Sequence, residues 1–211
     1  HDHALVDLLG KQSWGERNFV VINLRTAHLP YEENYDQHNE PLPSWPVDPS
    51  LPREERQRNA YDNAIGYLDD VLAEVIARFD QLAGERYLLI TGAHGQLHGE
   101  NGRWGPNDLL PQVAEVPVMV LAREAPEEAL SSLRQQRWIS HHEAGLWLAE
   151  RLGHRVDNPN LRPGEHFVQG KQLFGDNMIQ RVREGASGLI YDRPILLSRW
   201  LEALQRETSL P

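Results

Sequence analysis

Thr91-Gly92-Ala93-His94-Gly95-Gln96-Leu97-His98-Gly99-Glu100-Asn101-Gly102-Arg103-Trp104-Gly105-Pro106-Asn107-Asp108 lies between two apolar runs, Tyr87 to Thr91 and Val116 to Leu121. Short, continuous apolar runs bounded by turn residues predict strands buried on both faces. Glycine recurs through the intervening stretch, which excludes a helix there and predicts a structured loop. In a layered α/β fold, the end of a strand is where a parallel sheet opens its ligand crevice. The segment is therefore the first place to look for a site.

Working outward, Phe19-Val20-Val21-Ile22-Asn23-Leu24 has the same apolar, β-branched character and predicts a third strand. Tyr61, Ile65, Leu68, Leu72, Val75 and Phe79 recur at spacings of four and three, so a long amphipathic helix is expected with those residues on its core face. Leu5, Leu8 and Leu9 fit a short leading helix. Prolines at 30, 41, 43, 46, 49 and 52 predict a long irregular loop. Pro126 to Leu133 suggests a short helix. Ser140-His141-His142-Glu143 offers a capping box that opens a helix ending near Gly153, and Leu197, Trp200, Leu201 and Leu204 mark a last amphipathic helix. Strands alternating with helices predict an α/β fold, a mostly parallel sheet flanked by helices. Ile22, Ile90 and Val118 are expected in neighbouring strands. With no repeat or Gly/Ser linker, residues 1–211 form one expected domain.

The composition narrows the function. A formal charge of -10 over 211 residues opposes a generic nucleic-acid partner or anionic-membrane binder, because neutralising phosphates takes clustered Lys and Arg. The absence of cysteine removes disulfides, thiolate metal sites and cysteine nucleophiles. Val116 to Ala122 is the longest apolar run, far short of the ~20 residues that span a bilayer, so the chain as given is expected to be soluble. It starts at His1-Asp2-His3, which suggests processing or a piece of a longer protein. With a free amine on His1, that start could chelate copper or nickel; a surface terminus is the plainer expectation.

The glycine-rich segment resembles the Ser-Asp-His-Gly-Glu…Gly-Glu-Asn-Gly…His-Gly segment of phosphoethanolamine transferases, lipoteichoic-acid synthases and sulfatases of the alkaline phosphatase superfamily. Other stretches agree in order. Thr26-Ala27-His28-Leu29-Pro30-Tyr31 resembles the family's Ser-His-x-Pro-Tyr loop, and Asn59-Ala60-Tyr61-Asp62-Asn63 its Asn-Ala-Tyr-Asp-Asn helix. Val113 to Val120 is similar to its Gln-x-x-Val-Pro strand, Ser140-His141-His142 to its Ser-His-Asp helix start, and Gln169 to Phe174 to its Gly-x-x-Leu-Phe turn. Trp104-Gly105 followed by Asn107 is closest to the Trp-Gly-His-Asn run of sulfatase-like inner-membrane regulators of lipopolysaccharide synthesis. The resemblance covers about residues 2 to 176. It implies the C-terminal portion of a sulfatase-like domain, incomplete on its N-terminal side.

The resemblance also implies a chemistry. In that superfamily a Thr, Ser or formylglycine nucleophile attacks phosphorus or sulfur while a divalent zinc or calcium ion neutralises the developing charge. An Asp-His pair at the end of the strand helps to hold the metal. His94 falls on the ligand histidine, Ala93 on the ligand aspartate, His28 on a substrate-facing histidine, and Pro106 where the regulators carry a second one. Asn107 is the other expected substrate-binding residue. The nucleophile would lie upstream of His1, so no catalytic residue is expected in the chain. A methyl group cannot replace a carboxylate ligand, so the expectation is a vestigial metal position at His94 with no metal or only weak divalent binding.

The function implied is a cell-envelope sulfatase or phosphoethanolamine-transferase-like domain, non-catalytic, binding lipid or glycan or regulating a membrane protein at the extracytoplasmic (in a Gram-negative cell, periplasmic) face of the inner membrane. The alternative is an active transferase or sulfatase on envelope glycolipid esters, with Ala93 engineered or compensated. Plainer expectations stand beside these. His94 and His28 serve equally well as hydrogen-bonded loop residues, and His141 and His142 as helix-start residues. His94-x-x-x-His98 with Glu100 has zinc-like spacing but sits in a stretch too glycine-rich for a helix. Asp62, Asp69 and Asp70 suit a solvated helix face, Asn63 a pocket wall, and Trp104 and Trp147 packing.

Overall fold

A computed structural model describes residues 2–35, 44–106, 108–158, 162–171 and 177–208. In chain order these form α1 (His3–Gly10), α2 (Arg53–Gln81), β1 (Arg86–Thr91), β2 (Leu97–His98), β3 (Trp104–Gly105), α3 (Pro111–Ala114), β4 (Val118–Arg123), α4 (Ser131–Arg134), α5 (His141–Arg151), β5 (Glu165–Lys171), β6 (Asn177–Gly185), β7 (Gly188–Tyr191), β8 (Ile195–Leu196) and α6 (Leu197–Thr208). The chain is a mixed α/β protein. By its contacts it divides into two compact units, residues 1–88 with 98–103, and residues 89–97 with 104–211.

The first unit is built on α2. Its 29 residues bury Ala60, Asn63, Ala64, Tyr67, Val71, Val75 and Phe79. That stripe is rotated from the one the apolar spacing predicts: Ile65 is 39% exposed, whereas Ala60, Ala64 and Val71 are fully buried. The small alanines let neighbouring chain approach the helix, so the face is chosen by close packing and not by side-chain size alone. Val6 of α1, Tyr31 and Tyr35 complete the core, with Leu24, Leu29, Val47, Tyr61 and Leu88 packed against it. His3 ties α1 to α2, edge-on to Tyr67 at 4.9 Å and 3.0 Å from the Glu74 carboxylate.

Asn63 is a clamp, not a pocket wall. Its Oδ1 accepts from the Trp45 amide at 2.8 Å, and its Nδ2 donates to the Trp45 carbonyl at 2.9 Å and to the Tyr35 hydroxyl at 3.3 Å. One turn earlier, Asn59 donates to the Pro46 carbonyl at 2.7 Å. Two asparagines four apart on one helix face thus give the irregular 44–47 chain the backbone partners it would otherwise find in a ladder.

The Phe19 to Leu24 run does not form a strand. Phe19, Val20 and Val21 are 59%, 47% and 76% exposed, and no strand among the described residues pairs with them. A run suited to burial on both faces becomes a strand only where neighbours supply a ladder. Ile90 and Val118 do lie in adjacent strands, because β1 pairs with β4. β2 and β3 form a second two-stranded sheet.

The largest sheet was not anticipated, and it corrects the mostly parallel expectation. β5, β6, β7 and β8 form an antiparallel meander in which β6 is central, pairing with β5 from Glu165↔Arg183 to Lys171↔Asn177 and with β7 through Gly185↔Gly188. One face packs inward within the second unit, burying Gln180 and Val182. The other carries Phe167, whose ring meets Trp200 of α6 at 5.4 Å over the buried Ile179. α5 starts as its sequence predicts. The Ser140 hydroxyl accepts from the Glu143 amide, the Glu143 carboxylate accepts from the Ser140 amide at 2.7 Å, and the helix gives way at Gly153, whose φ of 81° favours glycine. Trp147 packs inward and donates to the Ala129 carbonyl at 2.9 Å.

The rotated face of α2 sets a clear expectation. Asn63→Ala strands the part-buried Trp45 amide and carbonyl and should cost about 2 kcal/mol, whereas Ile65→Ala should cost less than about 0.5 kcal/mol as a surface change. Urea denaturation of the two variants measures both, and the reverse order would restore the face predicted by the apolar spacing.

Candidate functional site

The first unit presents the His28 loop. Asp2, 8% exposed, is its organiser: its Oδ2 accepts from the Arg25 amide at 2.8 Å, the Thr26 amide at 2.9 Å and the Thr26 hydroxyl at 2.7 Å, and Thr26 is fully buried. A carboxylate receiving that many donors fixes the chain just before His28. His28 itself is exposed, its Nδ1 lies against the Leu29 carbonyl, and the Asn34 side chain donates to the His28 and Pro30 carbonyls. Nothing in the sequence signalled Asp2, since its partners are more than twenty positions away.

His98 belongs to the same unit and is enclosed, not poised as a ligand. Its ring lies 4.2 Å from that of Tyr61 and 6.3 Å from that of Tyr31, its carbonyl accepts from Arg58 Nε at 3.2 Å, and its Nδ1 is buried without a hydrogen bond. Burial pushes its pKa below the ordinary histidine value, against the opposing pull of Glu100 and Asp62. Burial likewise pushes the Tyr31 hydroxyl up to about 12, helped by Tyr61 and Glu32. Glu100 accepts from the His98 amide.

In the second unit, β1 delivers the turn that carries Ala93 and His94. Gly95 closes it: its amide donates to the Val113 carbonyl at 2.8 Å, and a β-carbon there would collide with the Gln112 carbonyl oxygen. Gly92 lies against Val116. At the strand end, Thr91 Oγ1 is hydrogen-bonded to His141 Nε2 at 3.2 Å. Ala93 and His94 are both exposed, and His94 Nδ1 sits 3.0 Å from the Gly95 carbonyl oxygen. Pro106 is half-buried, and Asn107 lies outside the described residues, as do His1 and the segment 172–176.

The donor set does not fit a metal. Ala93 supplies no ligand, His94 spends one ring nitrogen on its own loop, and no group of three or more His, Asp or Glu side chains among the described residues could hold an ion. His28 and His94 fall in different units, each with its own local bonding.

The strand, the glycine-forced turn and the capped helix behind it are those of a sulfatase-like α/β domain of the alkaline phosphatase superfamily. The family model for sulfatases matches residues 3–143, and the chain belongs to that family, whose members typically use a divalent metal. No match is found among curated proteins or among solved structures. No helix among the described residues is long and apolar enough to cross a membrane.

Two outcomes are expected here. Gly95→Ala should open the turn, seen as loss of protection of the residue-95 amide, because the obstructing atom is backbone and cannot swing away. The lowered pKa of His98 fixes a sign: stabilisation by its neutral ring is present above the ordinary histidine value and is lost as pH falls through the lower, folded-state value. Titration of the His98 ring by NMR, with stability against pH in the chain and in His98→Gln, checks this; a ring titrating above the ordinary value would contradict it.

Proposed function

We propose that this domain is a sulfatase-family member with a degraded metal site, acting by binding an envelope lipid or glycan or by regulating a membrane protein, at the extracytoplasmic face of the inner membrane. The observation that carries the reading is Ala93, an exposed methyl at the position where the family resemblance expects the ligand aspartate, beside a His94 ring turned onto its own backbone. Losing that carboxylate removes a full negative charge opposite a dication and leaves an incomplete first shell. His28 and Asn107 are retained as the proposed substrate-side residues.

One observation favours a second reading, an enzyme with a single lesion. The scaffold of the turn is intact: Gly95 is forced by the Gln112 carbonyl, and the 99–103 turn keeps its Gly99 to Arg103 hydrogen bond at 2.9 Å. Catalysis on phosphate or sulfate esters would then need only the missing ligand.

The complete protein, purified, should hold no stoichiometric zinc, calcium or manganese and hydrolyse model phosphate and sulfate esters no faster than buffer. Metal analysis and turnover are compared with Ala93→Asp. Recovery of both by Asp assigns the single-lesion reading. Metal without turnover supports a site that has drifted elsewhere too, and a clear rate from the unaltered protein overturns the degraded-site proposal.

A further inference from the structure

The second unit contains a series of polar contacts, joined through the first turn of α5, that runs from the β5–β6 hairpin to the His94 turn. His166 of β5 lies between two carboxylates, its Nε2 3.1 Å from Glu184 of β6 and its Nδ1 3.4 Å from Glu143 of α5, and its side chain is only 11% exposed. The Glu143 oxygen facing His166 is the same one that accepts from the Ser140 amide and hydroxyl, so the contact bears on the group that caps α5. His141, in the same first turn, reaches Thr91 at the end of β1. The turn 92–94 is then anchored twice, through Thr91 to His141 before it and through Gly95 to Val113 after it.

We infer that the β5–β6 hairpin positions the Gly92–Gly95 turn, with His166 and His141 as positioning residues acting through the capped first turn of α5. His166 fixes the Glu143 carboxylate, Glu143 fixes the start of the helix, and the start of the helix fixes where the His141 ring meets Thr91. The polar contacts run from 2.7 Å at Ser140–Glu143 to 3.4 Å at His166–Glu143, with the helix backbone as the link between Glu143 and His141, and each acts on a group with little freedom: a capping carboxylate, a helix N-terminus and the last residue of a paired strand. The consequence is that a change in the C-terminal meander is felt at the turn carrying Ala93 and His94. This goes beyond the proposed function and holds whether or not that turn ever binds a metal.

Amide exchange at Gly95, protected by the Val113 carbonyl, is the readout, with Leu152 at the far end of α5 as the internal control because its amide bonds to Leu148. His141→Ala and His166→Ala should each speed Gly95 exchange about five- to tenfold, the loss expected when one modest hydrogen bond is removed. Leu152 should be unchanged. His141→Gln, whose amide nitrogen stands where Nε2 does, and His166→Asn, whose amide nitrogen stands where Nδ1 does, should restore most of the protection. In the double alanine variant the His166 effect should vanish, because both act on one path. Gly95 exchange unchanged in His166→Ala, full additivity, or Leu152 loosening in step with Gly95 would each overturn the inference. Should His166→Ala fail to fold, Glu184→Gln removes only the charge of the outer contact and must still speed Gly95 exchange; no effect there overturns it as well.

Discussion

At Gly95 the backbone runs against the Gln112 carbonyl so closely that no β-carbon fits, while the Gly95 amide donates to Val113 at 2.8 Å. This contact ends the turn that begins at Thr91, and so it fixes where Ala93 and His94 stand. Gln112 and Val113 lie in α3, β4 follows within a few residues, and β4 pairs with β1. The glycine is therefore less a source of flexibility than a requirement for close approach. A turn built this rigidly is suited to hold a ligand pair; in this chain it holds a methyl group and a histidine bonded to its own loop.

The same logic, a polar group fixing an irregular segment, recurs through both units. Asp2 gathers the chain before His28, Asn59 and Asn63 clamp Trp45 and Pro46 within the proline-rich loop, and Ser140 with Glu143 fixes the start of α5. Buried backbone groups outside helices and sheets must find partners, and short polar side chains supply them. Sulfatase-family membership rests on residues 3–143, and these clamps, apart from Asp2 one residue before it, lie within that span. The meander of β5 to β8 lies beyond it, and touches the family core through His166 and Glu143, and through the Tyr191 hydroxyl, which donates to Glu115 at 2.8 Å.

Local pattern made much of the architecture legible. The long helix, the strands at Arg86–Thr91 and Val118–Arg123, the capping box at Ser140 and the last helix all follow from periodicity and cap chemistry confined to a few residues. The meander was not legible because its two long strands interleave Arg, Gln and Glu with their apolar residues and its other two are short. The turn Ala186-Ser187 between paired Gly185 and Gly188 was the one signal that could have revealed it. For the site, the motif located His28, Ala93 and His94, but Asp2, His141 with Thr91, and His166 gain their partners only across long separations.

By itself the sequence determined the elements with strong local periods and the family, and it put a methyl group, with no donor atom, at position 93, since each is a property of adjacent residues or of residue identity. The tertiary structure decided which face of α2 is buried, that Phe19 to Leu24 stays unpaired, and that Asn63 clamps a loop. Those outcomes depend on what packs against each segment, and a ladder, a close contact or a buried carboxylate needs a second piece of chain that no local pattern names.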